Sequence, residues 1–122
     1  MTPLALGYVL SGTGASPRGD LAEGTVFARI ERDARQAGPG DLFIALRGER
    51  FDGHDFVGDA AAAGATAALV SREWADAHAD ATLPLLVVAD PLGALQRLAA
   101  RWRADLADLL VVGVTGSVGK TS

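Results

Sequence analysis

Gly40-Asp-Leu-Phe-Ile-Ala-Leu-Arg-Gly-Glu-Arg-Phe-Asp-Gly-His-Asp-Phe56 changes character twice. Residues 42–46 are a short, continuously apolar run, which reads as a strand buried on both faces. The Ala37-Gly-Pro-Gly-Asp41 segment before it is a turn by composition. A polar loop, residues 47–54, follows. Asp52 or Asp55 can cap the helix that starts next, and Gly64 is placed to end it. Phe56, Ala60 and Ala63 share one face of that helix. Residues 66–70 then return as a strand. Strand, loop, helix and strand make an α/β unit, and open α/β sheets hold ligands at the loop leaving a strand.

The same alternation continues outward. Residues 71–83 are expected to form a short helix or a loop, and residues 85–89 another strand. Asp90 followed by Pro91 reads as a helix N-cap with proline at the first helical position. Leu92, Leu95, Leu98, Ala99, Trp102 and Leu106 fall three or four apart and form one apolar stripe. Toward the N-terminus, residues 25–30 alternate well enough for a half-buried strand. Leu4, Leu6, Tyr8, Val9 and Leu10 could form a short helix or strand, closed by Ser11-Gly12-Thr13-Gly14. Residues 105–108 mark the expected boundary before one more strand, the uncharged, valine-containing run of residues 109–114. The predicted fold class is α/β with a largely parallel or mixed sheet.

That last run leads into Thr115-Gly116-Ser117-Val118-Gly119-Lys120-Thr121, then Ser122. A buried strand, a glycine-rich turn and Lys-Thr are the order of a phosphate-binding loop. Gly116 and Gly119 let the backbone curl so that successive N–H groups face an anion. Lys120 would supply a compact charge for the outer phosphates of a nucleoside triphosphate, and the Thr121 hydroxyl a ligand for Mg²⁺. Val114 stands where the strict pattern has glycine, so only the shorter Gly-x-x-Gly-Lys-Thr core fits. Lys120 is the only lysine among 11 basic residues, placed where a point charge suits and a planar fork does not. The helix whose N-terminus completes such a site is expected after Ser122.

Composition bounds the partners. With 122 residues the chain holds one domain and at most the start of another. The 49% apolar fraction is ample for a core, and the net charge of −4 recommends neither nucleic acid nor an anionic membrane as partner. There are no cysteines for disulfides or thiolate metal sites. The uncharged run of residues 60–71 is too short to span a bilayer. In the loop of residues 47–54, two arginines, acids and a histidine could grip a diphosphate and a sugar, or form a solvated connection whose Asp caps a helix.

Three spaced segments taken together, Gly40 to Phe56, Ala62-Ala-Gly-Ala65 and Thr115 to Thr121, resemble the start of the Mur ligases. The likeness covers roughly residues 25–122. It implies a small N-terminal mixed-sheet domain, residues 1–106, that binds the UDP part of a nucleotide-sugar substrate. Residues 107–122 would then be the first strand and phosphate loop of a truncated central ATPase domain. The Gly48-Glu49-Arg50-Phe51-Asp52-Gly53-His54 wording resembles the branch that adds D-alanyl-D-alanine to UDP-N-acetylmuramoyl-tripeptide, a cytoplasmic, ATP- and Mg²⁺-dependent amide ligation. By that likeness Arg35, Arg47, Gly48, Asp52 and His54 fall where the uridine nucleotide sits, and Thr115 to Ser122 hold ATP. Ala34 departs from the family's usual Ser or Thr and cannot donate the hydroxyl contact made there. The resemblance implies a monomer, and a chain of this length that is itself inactive because no catalytic set is complete. Two other readings stand beside it: a self-standing nucleotide-sugar binding module, or part of another ligase sharing the loop, whether another Mur-type enzyme or a folylpolyglutamate synthase.

Overall fold

The computed structural model describes residues 4–48 and 50–114, with side chains described through residue 104. Strand β1 (Leu4–Ala5) runs straight into helix α1 (Leu6–Thr13), then come β2 (Ser16–Arg18), β3 (Val26–Phe27) and β4 (Arg29–Glu31). Strand β5 (Asp41–Ile44) leads through a 3₁₀ turn (Gly53–Phe56) into α2 (Val57–Ala62). The chain continues as β6 (Ala67–Ser71), α3 (Arg72–Ala77), β7 (Leu85–Val88) and α4 (Pro91–Val114). Five strands form the main sheet in the order β2-β7-β6-β5-β4. Strands β4 to β7 are mutually parallel, and β2 lies antiparallel on β7. A separate antiparallel pair joins β1 to β3.

Period-two alternation sorts the strand residues between two cores. Phe43 and Ala45, Ala68 and Val70, Leu85 and Val87 face one side, where Val57 and Ala60 of α2 and Ala75 of α3 cover them. Leu42 and Ile44, Ala67 and Leu69, Leu86 and Val88 face the other, against Val9 of α1 and Ala94 and Leu98 of α4. Strands buried on both faces need continuous apolar runs, and β5 and β7 are buried at every position. Each fully buried Leu or Phe here contributes about 1.5–3 kcal/mol relative to exposure. Alanines at 67 and 68 let the helices on both faces approach the middle of the sheet.

Expected strands at residues 42–46, 66–70 and 85–89 correspond to β5, β6 and β7, each within a residue or two. Residues 25–30 are not one strand. Phe27 pairs with Leu4 in the small sheet and Arg29 with Asp41 in the main one, and Ala28 donates its N–H to the Gly40 carbonyl where the chain changes sheets. Strand β2 carries no apolar pattern because all three of its residues are exposed at a sheet edge. Helix α1 runs through Ser11, Gly12 and Thr13 and stops at Gly14, whose φ of 73° is open to glycine at little cost. Ser71 caps α3 by accepting from the Trp74 N–H.

Two helix expectations are corrected. The inward stripe of α4 is Ala94 and Leu98 flanked by Leu95 and Trp102, and Leu92 lies off it, about half exposed. The expected strand at residues 109–114 is instead the last part of α4, and residues 105–108 do not break the helix. No glycine or proline stands between Gly93 and Gly113, and each added helical residue closes one hydrogen bond without needing a partner strand. The three valines of residues 109–114 cost only a few tenths of a kcal/mol each in a helix, too little to stop it. The predicted phosphate loop, Thr115 to Ser122, lies outside the described residues.

Candidate functional site

The end of β5 is turned by a compact loop. Arg47 and Asp52 form an antiparallel bridge, and the Gly48 N–H donates to the Phe51 carbonyl at 2.7 Å. The Gly53 N–H reaches back to the Leu46 carbonyl at 2.7 Å. A Cβ at Gly53 would stand 2.7 Å from the Leu46 nitrogen and 2.8 Å from its oxygen, so only glycine fits. Asp52 then caps the 3₁₀ turn, accepting from the His54 N–H at 3.0 Å.

Behind this loop sits His54, 6% exposed. Its Nδ1 is 2.7 Å from the Asp52 Oδ1, and its Nε2 accepts from the Ser71 N–H at 3.0 Å. Because Nε2 accepts, the ring proton resides on Nδ1 and is donated to Asp52. Trp74 lies tilted against the imidazole, ring centres 5.9 Å apart, and stacks on His78 at 4.1 Å. Burial raises the Asp52 pKa, but the backbone and side-chain hydrogen bonds from His54, with the charge of Arg47, outweigh it and hold this carboxyl below the usual range. The Arg47 Nε lies 3.4 Å from the Asp52 Oδ2.

Facing the loop is the turn after β4. Arg35 folds onto Asp33 with its Nε and Nη2 each 3.1 Å from a carboxylate oxygen, and its N–H caps the same group at 3.0 Å. The Arg35 side chain bonded to Asp33 lowers the Asp33 pKa, and the same bond raises that of Arg35. Ala34 turns inward and is buried. Between turn and loop lies a cavity of about 700 Å³ whose walls include Arg32, Ala34, Arg35, Arg47, Phe51 and Phe56. Three arginines thus line one space, with Asp33 and Asp59 as the acids beside them. Among the described residues the Arg32 side chain makes no hydrogen bond or ion pair. Phe51 and Phe56 are exposed, 6.0 Å apart edge to face, and join Leu46 and Leu92 in an apolar wall. Arginines and aromatic rings around one space suit a ligand with an anionic group joined to a flat apolar one.

Of the residues singled out in the sequence, Arg35, Arg47 and Gly48 line this cavity, while Asp52 and His54 stand behind its wall. Arg32, Phe51, Phe56 and Leu92 were not foreseen. Two phenylalanines in an otherwise polar loop were the available signal, since aromatic rings there have no core to enter. Among the described residues no group of three or more His, Cys, Asp or Glu side chains could hold a metal. No helix among them is long and apolar enough to cross a membrane.

Residues 27–103 match the Mur ligase family, catalytic domain, and the chain belongs to the Mur ligase family. The UDP-N-acetylmuramoyl-tripeptide–D-alanyl-D-alanine ligase of Escherichia coli K12 is 48% identical over 93 residues, 76% of this chain and 19% of that protein. The UDP-N-acetylmuramoyl-L-alanyl-D-glutamate–2,6-diaminopimelate ligase of Streptomyces avermitilis is 43% identical over 118 residues, 88% of this chain and 23% of that protein. A crystal structure of MurF from Acinetobacter baumannii superposes with a TM-score of 0.73 at 35% identity, over 86% of this chain and 22% of that one. The mixed α/β fold is therefore a Mur ligase fold, and the chain spans about a fifth of the length of such relatives.

Proposed function

We propose that this chain binds the nucleotide-sugar substrate of an ATP-dependent amide ligase that adds D-alanyl-D-alanine to UDP-N-acetylmuramoyl-tripeptide. The observation that carries the reading is the cavity that Arg32, Arg35 and Arg47 line together with Phe51 and Phe56. A uridine diphosphate offers the matching chemistry, two phosphates for bidentate guanidiniums and a flat base for the aromatic rings. The likeness to relatives named for this ligation supports the choice of substrate.

In the reaction, the tripeptide's terminal carboxylate oxygen attacks the γ-phosphorus of ATP and ADP leaves. The amine of D-alanyl-D-alanine then attacks the acyl phosphate carbon, losing a proton, and phosphate departs as the amide forms. Catalysis of such transfers is mainly positioning and charge neutralisation. Thr115 to Ser122 would wrap the ATP phosphates with backbone N–H groups, Lys120 would lie along the outer phosphates, and Thr121 would bind Mg²⁺. Arg32, Arg35 and Arg47 would fix the far end of the second substrate, so that its carboxylate is delivered in one place.

A second reading is favoured by the relative named for 2,6-diaminopimelate addition, which matches over more of the chain. The test is an acceptor assay on the protein that contains this chain. UDP-N-acetylmuramoyl-tripeptide with D-alanyl-D-alanine is compared with UDP-N-acetylmuramoyl-L-alanyl-D-glutamate and diaminopimelate, each with ATP. Phosphate release only with the first pair is expected; release only with the second replaces this reading.

A further inference from the structure

We propose that His54 is a positioning residue for the cavity, holding Arg47 in place through Asp52 and taking no part in ligand contact itself. This rests on the cavity being the nucleotide-sugar site. Neither ring nitrogen is free: one accepts from the Ser71 N–H at the end of β6, and the other donates to Asp52. The ring is buried behind the loop, against Trp74, and does not line the cavity. Asp52 is held at one oxygen by two His54 donors, the backbone N–H and Nδ1. Its other oxygen is thereby left toward Arg47, 3.4 Å away.

The connection to Arg47 is double. The Asp52 backbone bridges that of Arg47, and its carboxylate meets the guanidinium. The exposed ion pair alone would hold a three-quarters exposed arginine weakly. What stiffens it is that Asp52 is fixed from behind, by a ring bonded to the neighbouring strand. Imidazole suits this place because one rigid planar group presents a donor and an acceptor on adjacent edges. A glutamine side chain could accept from Ser71 or donate to Asp52, but its flexible stem does not fix both directions at once.

A double-mutant cycle in the 122-residue chain tests this, with UDP as the calorimetric probe and wild type, His54→Gln, Arg47→Ala and the double variant compared. If His54 acts through Arg47, His54→Gln weakens UDP binding about tenfold beside Arg47 and less than about twofold in the Arg47→Ala background, the non-additivity expected of coupled groups. Equal losses in both backgrounds would make His54 a general stabiliser and overturn the proposal, as would no loss in either. Should the wild-type chain not bind UDP, the nucleotide reading of the cavity fails separately. The Arg47 Nε–H resonance in ligand-free protein then decides. A shifted, faster-exchanging signal in His54→Gln supports positioning, and an unchanged one overturns it. If His54→Gln does not fold, His54→Asn, which has no atom at the Nε2 position and so loses the Ser71 N–H that anchors the group behind Asp52, is carried through the same cycle with the same outcomes.

Discussion

Gly53→Ala is the sharpest perturbation of the loop. The glycine has no positive φ, so alanine suffers no conformational penalty there and the whole cost is one of space. The added Cβ would meet the Leu46 nitrogen at 2.7 Å, the Leu46 oxygen at 2.8 Å and the Ala45 carbonyl carbon at 3.2 Å. These are backbone atoms beside the central strand and cannot swing aside as a side chain would. Overpacking of this kind costs about 1–3 kcal/mol. Moving Gly53 away also stretches its 2.7 Å bond to the Leu46 carbonyl, about 0.5–1.5 kcal/mol more. A loss of about 2–4 kcal/mol lowers the melting temperature by roughly 10 °C or more in a domain of this size. UDP binding should fall with it, because Leu46, Arg47 and Gly48 all line the cavity. Thermal melts and calorimetry measure both. Gly58→Ala in α2 is the control: nothing lies within 4 Å of its added Cβ. There the helix gains about 0.5–1 kcal/mol from the better helix former. A Gly53→Ala protein that melts within about 2 °C of wild type and binds equally well refutes the account of the turn.

Arg47→Ala should weaken UDP binding by about 1–3 kcal/mol, the loss of a charge-assisted contact, while leaving the melt nearly unchanged because its ion pair is largely exposed; a drop of several degrees in the melt would make it a structural residue. The Asp52 carboxyl is held below its ordinary value of about 3.9, so its contribution to stability is complete above that pH and fades as pH falls through the lower folded value. Denaturant titrations of wild type and Asp52→Asn should differ at neutral pH and converge well below pH 4, whereas a gap that is constant with pH contradicts the linkage. Phe43→Ala, at a fully buried position of β5, should cost about 3–5 kcal/mol by denaturant unfolding, and a cost below 1 kcal/mol would mean the sheet face is loosely packed. In the protein that contains this chain, Lys120→Arg should lower turnover by about 10²–10³ although the charge is kept, and wild-type rates would mean the loop holds no triphosphate.

The central strands were legible because burial on both faces leaves a signature that little else produces. Residues 42–46 and 85–89 have no polar position, and each is bounded by turn residues. What was lost lay where tertiary pairing overrides local pattern. Strand β2 is three exposed residues including Pro17, held by its partner β7 alone. The split of residues 25–30 is invisible locally, since Phe27 and Arg29 differ only in which distant strand each meets. Residues 109–114 misled for the opposite reason: valines favour a strand, but the helix begun at Pro91 needs only its own next hydrogen bond.

The site divides along the same line. Arg47 could be picked from the sequence as a cation in the loop leaving a buried strand, whereas Arg35 and Gly48, which also line the cavity, came only from the family resemblance. Asp52 and His54 have the same composition signal and a different place, since the half-buried strand-end N–H at Ser71 needs an acceptor and His54 supplies it. Ala34 points inward and is buried, so a hydroxyl at that position would face the core side as much as a ligand. On the proposed nucleotide-sugar reading, charge and stacking are then what selects the ligand. Arg32, without a partner among the described residues, is then the cation with most freedom to follow a phosphate, while Arg35 is bonded to Asp33 through Nε and Nη2. The Arg35–Asp33 pair engages Nε and Nη2, so an anion entering from that side meets the Nη1 edge of Arg35, and Arg47, joined to Asp52 through Nε, keeps its outer nitrogens toward a ligand while its stem is held in place.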